Sequence, residues 1–255
     1  MFLYHLKLKL LTAIFLLGSS LTAQVFQVDR TNFMFRISAA LAADLSNNWA
    51  DRKLTEKPSA AELSQLSKND VIFFDRIAFQ PYSQKLKDFS DYAAYLTLGA
   101  TAWLAYDEYC WLDNLMVFSE ILIVQSAVTK WTKTLSQRYR PFVYQDDVSL
   151  EKKQERNSRH SFYSMHSSTA FAAATFGYYY HSQMHGRNLP VALLLYVPAA
   201  ATACLRVASA NHFPSDVVMG AIAGSGISWI LCRLHRSDKV FINLGLNSIY
   251  LQYRY

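Results

Sequence analysis

The sequence predicts an all-α fold: a six-helix bundle preceded by an N-terminal signal segment and followed by a short extended C-terminal tail. Three observations predict it. Hydrophobic residues make up 52% of the chain against 17% charged, which is richer in apolar residues than an average soluble domain. Only 8 Gly and 6 Pro occur in 255 residues, too few turn formers for many short strands. Six apolar blocks, at 32–45, 92–106, 115–128, 168–180, 189–208 and 217–234, are separated by polar stretches. At 29.1 kDa the chain suffices for one substantial core, and nothing in its composition forces a split into independent domains.

The elements follow in order. Lys7 and Lys9 precede the apolar run 10–17, then Gly18, Ser19 and Ser20, with Ala23 before Gln24 as the expected cleavage point. That layout is a secretory signal peptide. An uncleaved signal anchor shares the basic start and apolar middle, and Leu21 at the minus-three position keeps that reading open; export holds on either account. Residues 1–23 are therefore the signal peptide or anchor, 24–90 an N-terminal helix and polar loop region, 91–236 the helical core and 237–255 the tail. The helix at 32–45 is interrupted by Arg36, and 46–75, rich in Asn, Lys, Glu and Ser, reads as a surface loop with short helices. Crossing a bilayer takes about 20 apolar residues. The block 189–208 meets that and 217–234 does so marginally, while the other blocks are short or carry Glu120 or Asp107 nearby. A mean hydropathy of +0.05 agrees with a bundle inserted only in part. The tail, from Val240 to Tyr255, alternates loosely and suits a hairpin or amphipathic segment better than one strand of a barrel.

The charge of +6 and pI near 9.1 come from basic residues interleaved with acids and apolar helices, without a nucleic-acid signature. A membrane and an anionic lipid or phosphate are the expected partners, and no nucleic acid. Cys110, Cys204 and Cys232 are odd in number and sit in apolar stretches, so they read as small core residues with no disulfide framework.

Chemistry concentrates in three places. In the segment 133–141, Lys133 and Arg140 are seven residues apart, nearly two helical turns, so both are expected on one helix face with Pro141 ending the helix just beyond. Two fixed cations on one face suit a dianion, although a basic stretch of this kind is more often a solvated helix end. In the segment 161–169, Ser164 and its hydroxyl-bearing neighbours precede a small apolar helix. The unpaired N–H groups of a helix start make an anion site, and His166 at its rim can give a proton to a leaving oxygen. An ordinary helix cap has the same pattern. In the segment 206–216, His212 and Asp216 stand one turn apart, and Pro214 is placed to open the last helix. The carboxylate can then hold the imidazole in one tautomer while its other nitrogen attacks. An Arg, a His and an Asp wedged between apolar helices are expensive unless they pair or act.

In order and together these segments resemble the signature of the type 2 phosphatidic acid phosphatase and vanadium haloperoxidase superfamily, K-x6-R-P, then P-S-G-H, then S-R-x5-H-x3-D. Lys133, Arg140 and Pro141 match the first part, Ser164 and His166 the second, Arg206, His212 and Asp216 the third. Tyr163 and Met165 replace the Pro and Gly of the second part, and Leu205 the Ser of the third. A glycine at 165 would let backbone approach a phosphate closely.

The resemblance implies a six-helix bundle of that family's kind. It also implies a metal-independent phosphoric monoester hydrolase acting on phosphomonoesters or pyrophosphates, lipid-linked or small, through a phosphohistidine. In that scheme His212 attacks phosphorus, Asp216 orients it and His166 protonates the leaving alcohol. Lys133, Arg140, Arg206, Ser164 and the Met165 N–H hold the non-bridging oxygens. No metal and no cofactor are expected. A vanadate-dependent haloperoxidase would hold vanadate in the same pocket, and a catalytically silent membrane scaffold is the alternative of another class. The pairs His212 with Asp216 and His181 with His185 have metal-ligand spacing but lack a companion ligand set, and Ser164 lacks the turn of a serine hydrolase. The expected location is a bacterial cell envelope, either the inner membrane with the site facing the periplasm or a periplasmic or outer-membrane-associated position.

Overall fold

The computed structural model describes residues 24–237, 241–245 and 248–252. The signal segment at 1–23, with its cleavage point after Ala23, lies outside the described residues. Six helices of at least 20 residues occur among the described residues: α1 (Arg30–Leu54), α2 (Gln84–Leu104), α3 (Trp111–Ser136), α4 (Met165–His185), α5 (Leu189–Ala208) and α6 (Pro214–Leu234). Each matches one apolar block of the sequence. The C-terminal strands β1 (Phe241–Gly245) and β2 (Ser248–Gln252) pair antiparallel, with Phe241 opposite Gln252 and Gly245 opposite Ser248.

Local chemistry sets the helix ends. Asp29 caps α1 by accepting from the Thr31 and Asn32 N–H groups, and Asn188 caps α5 through Val191. The first helix runs nine residues further than the apolar pattern suggested, to Leu54, because polar residues on its outer face do not oppose helix formation. Its inner face delivers Asn47 to Thr134 of α3, Nδ2 to Oγ1 at 2.9 Å.

Arg36 and Glu120, which interrupt apolar stretches, meet. Arg36 Nε donates to Glu120 Oε1 at 2.6 Å, and the other carboxylate oxygen lies 2.8 Å from His235 Nε2 at the end of α6. Pairing makes a fully buried Glu120 tolerable. Nearby, Phe26 is completely buried and stacks on Phe176 with centroids 5.5 Å apart. Burying such a ring contributes about 1.5–3 kcal/mol, so the chain just before α1 is fastened to the bundle.

The helix α4 is central, packing against α2, α3, α5 and most extensively α6. The close approach to α6 depends on Gly220 and Gly224, a small-xxx-small spacing that lets two backbones touch. A Cβ on Gly224 would lie 2.0 Å from the Ser168 carbonyl oxygen, and one on Gly220 2.6 Å from that of Ser164. Thr101 Oγ1 of α2 donates to the Ala173 carbonyl of α4 at 3.0 Å, and Ser168 Oγ donates to Gln125 Oε1 of α3 at 2.9 Å.

Among the described residues, three segments are long and apolar enough to cross a membrane, Trp111–Tyr144, Leu189–Ala208 and Pro214–Leu234. The first exceeds the sequence expectation, because its helix runs from Trp111 to Ser136, well beyond the apolar block at 115–128. Large apolar side chains on α5 and α6, among them Leu193, Val197, Ile222 and Ile230, face outward. An outward apolar surface of this kind fits lipid and not water, and the chain is read as a membrane protein. Of the cysteines, Cys110 and Cys232 are buried as expected, whereas Cys204 is exposed on that apolar surface.

Candidate active site

At one end of the bundle, the starts of α2 and α4, the ends of α3 and α5 and the loop before α6 surround a cavity of about 410 Å³. Its walls include Lys133, Arg140, Met165, His166, Arg206 and His212. Three segments that are far apart in sequence thus supply one site, and each arrives differently.

Lys133 sits in the last turn of α3, buried, and its Nζ donates to the His160 carbonyl at 2.6 Å. The expectation that Arg140 shares its helix face is corrected. The helix ends at Ser136, with Gln137 in the left-handed region at φ 44°, and Arg140 follows in extended backbone before a 3-10 turn, Pro141–Tyr144. Pro141 therefore opens the next turn and does not close α3. Arg140 reaches the cavity because its guanidinium is held by the loop opposite, donating to the Asn157 carbonyl and Oδ1, both at 3.0 Å, and to the Asn211 carbonyl at 3.3 Å.

Ser164 caps α4 by accepting from the Ser167 N–H at 3.4 Å, and its own N–H donates to the Asp216 carbonyl at 3.0 Å. The start of α4 is thereby stitched to the start of α6. Met165 and His166 are the first helical residues, where N–H groups precede the intrahelical ladder and the helix dipole is positive. His166 Nε2 lies 3.2 Å from Asp91 Oδ1 of α2, and Arg206 is paired with the same oxygen. Asp91 holds one histidine and one cation in place.

His212 lies in the loop between α5 and α6, 2% exposed. Its N–H donates to the Arg206 carbonyl at 3.1 Å, which fixes the loop on the end of α5. Pro214 opens α6 as expected, with Asp216 in the first turn. His212 Nδ1 stands 3.6 Å from Asp216 Oδ2, longer than a hydrogen bond, with no other partner among the described residues. Such bonds commonly tighten only around substrate. The Asp216 carboxylate is itself held firmly. Oδ2 accepts from Ser161 Oγ at 2.5 Å and the Phe213 N–H at 2.8 Å, and Oδ1 accepts from Arg138 at 2.6 Å.

Burial depresses both histidines below the usual imidazole range, and the guanidinium and ammonium groups around them add to the effect. His166 falls to about 3, with Arg206 the leading charge, and His212 falls well below its ordinary value, with Arg140 leading. Both rings are neutral at neutral pH, the state in which one nitrogen keeps a lone pair.

Of the sequence-derived residues, the structure brings Lys133, Arg140, Met165, His166, Arg206 and His212 to one cavity, with Ser164 and Asp216 directly behind it. Sequence reasoning missed Asp91, Arg138, Ser161 and Asn157. Asp91 is the one acid on the inner face of α2 near its start and carried no motif; Arg138 was hidden in a crowded basic stretch. His181 and His185 lie with tilted rings, centroids 4.9 Å apart, on the far part of α4, and no group of residues able to hold a metal ion occurs among the described residues.

The sequence profile of the PAP2 superfamily matches residues 114–239, a range that contains every motif residue of the site. The crystal structure of Aquifex aeolicus LpxE is similar to this chain, covering 64% of it and 99% of that chain at 21% identity, with a TM-score of 0.47. No curated protein matches. Through residues 114–239, carrying Lys133, Arg140, His166, Arg206, His212 and Asp216 in the family's order, this chain belongs to the PAP2 superfamily, that of the type 2 phosphatidic acid phosphatases.

Proposed function

We propose that this protein is a metal-independent phosphatase that hydrolyses lipid-linked phosphomonoesters or pyrophosphates through a phosphohistidine on His212. The observation that carries the reading is the meeting of two neutral histidines with the cations Lys133, Arg140 and Arg206, and with Lys87 and Lys152 further along the wall, in one cavity beside apolar helices of membrane length. Lys133, Arg140 and Arg206 match the charge that develops on the three non-bridging oxygens of a transferring phosphoryl group, assisted by the Met165 N–H at the start of α4. With that charge met by side chains, the chemistry needs no metal.

A bound dianion offsets the cations that depress His166 and raises its affinity for a proton. The lone pair of His212 then attacks phosphorus as the bond to the leaving oxygen breaks, and His166 gives its proton to that oxygen. Asp216 stabilises the positive charge that appears on the His212 ring. In the second half, His166 takes a proton from water as the water oxygen attacks the phosphohistidine, which releases phosphate and restores His212.

The site lies at the end of the bundle where α5 and α6 meet, and both helices turn apolar side chains outward. A phosphate carried by a bilayer lipid reaches such a site by lateral diffusion. In the proposed topology this end faces the exported side of the inner membrane, and the phosphorylated lipid is the partner.

The test is release of inorganic phosphate from phosphatidic acid and from a small aryl phosphate, in EDTA, by wild type and His212→Ala. Turnover in EDTA that His212→Ala abolishes is the expected result, with the lipid preferred. Folded wild type that binds lipid phosphate without turnover would establish a silent scaffold instead, and halide oxidation after vanadate addition would establish haloperoxidase chemistry.

A further inference from the structure

A 3-10 turn, Phe73–Ala78, lies at the same end of the molecule as the cavity. Its two faces differ sharply. Outward it shows Ile72, Phe73, Phe74 and Ile77, at 61%, 88%, 60% and 65% exposure, while Asp75 between them is completely buried. Exposing four consecutive-turn apolar side chains to water would be costly. Phe74 and Ile77 line an apolar groove together with Cys204 and Val207 of α5 and Val218 of α6. The turn is therefore continuous with the outward surface of the two membrane-length helices.

The inward face is occupied by a chain of ionic contacts. Asp75 Oδ1 accepts from the Ser215 N–H at 2.8 Å, and Oδ2 accepts from Ser215 Oγ at 2.7 Å and from Arg138 at 2.6 Å. The other amine of Arg138 donates to Asp216 Oδ1 at 2.6 Å, and its guanidinium lies over the Phe213 ring at 4.4 Å. Arg138 does not line the cavity that contains His212. By taking Oδ1, it leaves Oδ2 turned toward His212. A planar guanidinium bridging two carboxylates and stacked on an aromatic ring has little orientational freedom, and a lysine cannot reproduce that geometry.

We infer that the turn Phe73–Ala78 is a lipid-contacting element that also orients the site: its outer side chains lie in the bilayer interface, and its Asp75 fixes the Asp216 carboxylate through Arg138. The positioning half rests on the phosphatase reading above; the lipid-contacting half does not. Arg138 and Asp75 are positioning residues, acting on His212 through Asp216.

Two measurements test the two halves. Phe73→Trp, reconstituted in phosphatidylcholine vesicles with and without brominated acyl chains, is compared with wild type, whose five tryptophans set the background. Extra emission that bromine quenches is expected; extra emission that bromine leaves untouched overturns lipid contact, whatever the protein catalyses. For positioning, Arg138→Lys and Asp75→Asn are assayed on the small aryl phosphate. Each should lower kcat by tenfold or more with KM nearly unchanged, and the double variant should lose no more than Arg138→Lys alone. Losses that multiply, or a change confined to KM as for a direct phosphate contact, would sink the positioning role. The ¹⁵N signals of the His212 ring, assigned by difference with His212→Gln, should shift the same way in both single variants. That readout works even if wild type proves inactive, so unchanged ring signals refute positioning separately from any failure of the phosphatase reading, and an unchanged thermal transition guards against misfolding.

Discussion

Replacing Gly220 by alanine should damage the site through backbone contact alone. A Cβ there meets the Ser164 carbonyl oxygen at 2.6 Å, where ordinary contact begins near 3.4 Å, so α4 and α6 must part locally by about 0.8 Å. The group that moves is the cap of α4, whose next residues are Met165 and His166. Overpacking of this kind costs about 1–3 kcal/mol. Alanine returns about 1 kcal/mol of helix propensity over glycine, so the net loss of stability is roughly 0–2 kcal/mol. A catalytic group misplaced by 1 Å can lose about 10²-fold in rate, so kcat/KM for phosphate release should fall by roughly 10- to 100-fold. Gly226→Ala is the control, since a Cβ there meets nothing within 4 Å. It should hold full activity and melt no lower than wild type in the same detergent. Wild-type kcat/KM in Gly220→Ala would refute the claim that this contact sets the position of the helix start.

Other substitutions read other parts of the site. Asp216→Asn keeps the shape but removes the charge that stabilises the His212 ring, and kcat should fall by roughly 10²- to 10⁴-fold, measured on the aryl phosphate. Met165→Gly removes a side chain from the cavity wall while leaving the N–H at the first helical position. Phosphate release should stay within tenfold of wild type at a cost in melting of about 0.5–1 kcal/mol. For pH, both histidines have lowered folded values against an unfolded value near 6.5, so the unfolded chain binds more protons in acid. Their contribution to stability is complete above about pH 6.5 and is lost as pH falls toward the folded value of about 3 for His166. The melting temperature should drop between pH 7 and pH 4.5, and His166→Gln should make that drop smaller.

What could be read in the sequence and what could not differ by the kind of force involved. All six helices were legible because apolar runs are local records of burial. The site residues were legible because a nucleophilic histidine, its carboxylate and the cations for an anion recur at fixed spacing. Helix ends were not. Nothing in 133–141 announces that Gln137 adopts φ 44° and that Arg140 reaches the cavity from a turn, since the opposing grip on its guanidinium comes from Asn157 and Asn211. Asp91, Asp75 and Ser161 escaped for the same reason: each acts on a residue more than 50 positions away. The glycine pair 220 and 224 was legible as a spacing and passed unnoticed; its partner face, the serines opening α4, lies in the second motif.

The three cations assigned to the phosphoryl oxygens, Lys133, Arg140 and Arg206, are each held by something other than a substrate, and this bears on catalysis. Lys133 gives a hydrogen bond to a carbonyl, Arg140 to two carbonyls and an amide oxygen, and only Arg206 has a carboxylate partner, Asp91. Carbonyl dipoles orient a cation without cancelling its charge. Two carboxylates beside the cavity are likewise committed, Asp216 to Arg138 and Asp91 to Arg206 and His166, and the one carboxylate on the wall itself, Glu155, stands against Lys87, Lys133, Arg140, Lys152 and Arg206. Net positive charge therefore remains directed into a space bounded by apolar helices, where it is screened less than in water. Such an arrangement opposes folding and favours a dianion that enters later, so loss of Lys133 charge should weaken the competitive inhibition by inorganic phosphate or vanadate while raising the melting temperature. In Lys133→Met those two quantities should move in opposite directions, and a variant that melts lower and still binds the anion as tightly would overturn the claim that the site holds its charge at the expense of stability.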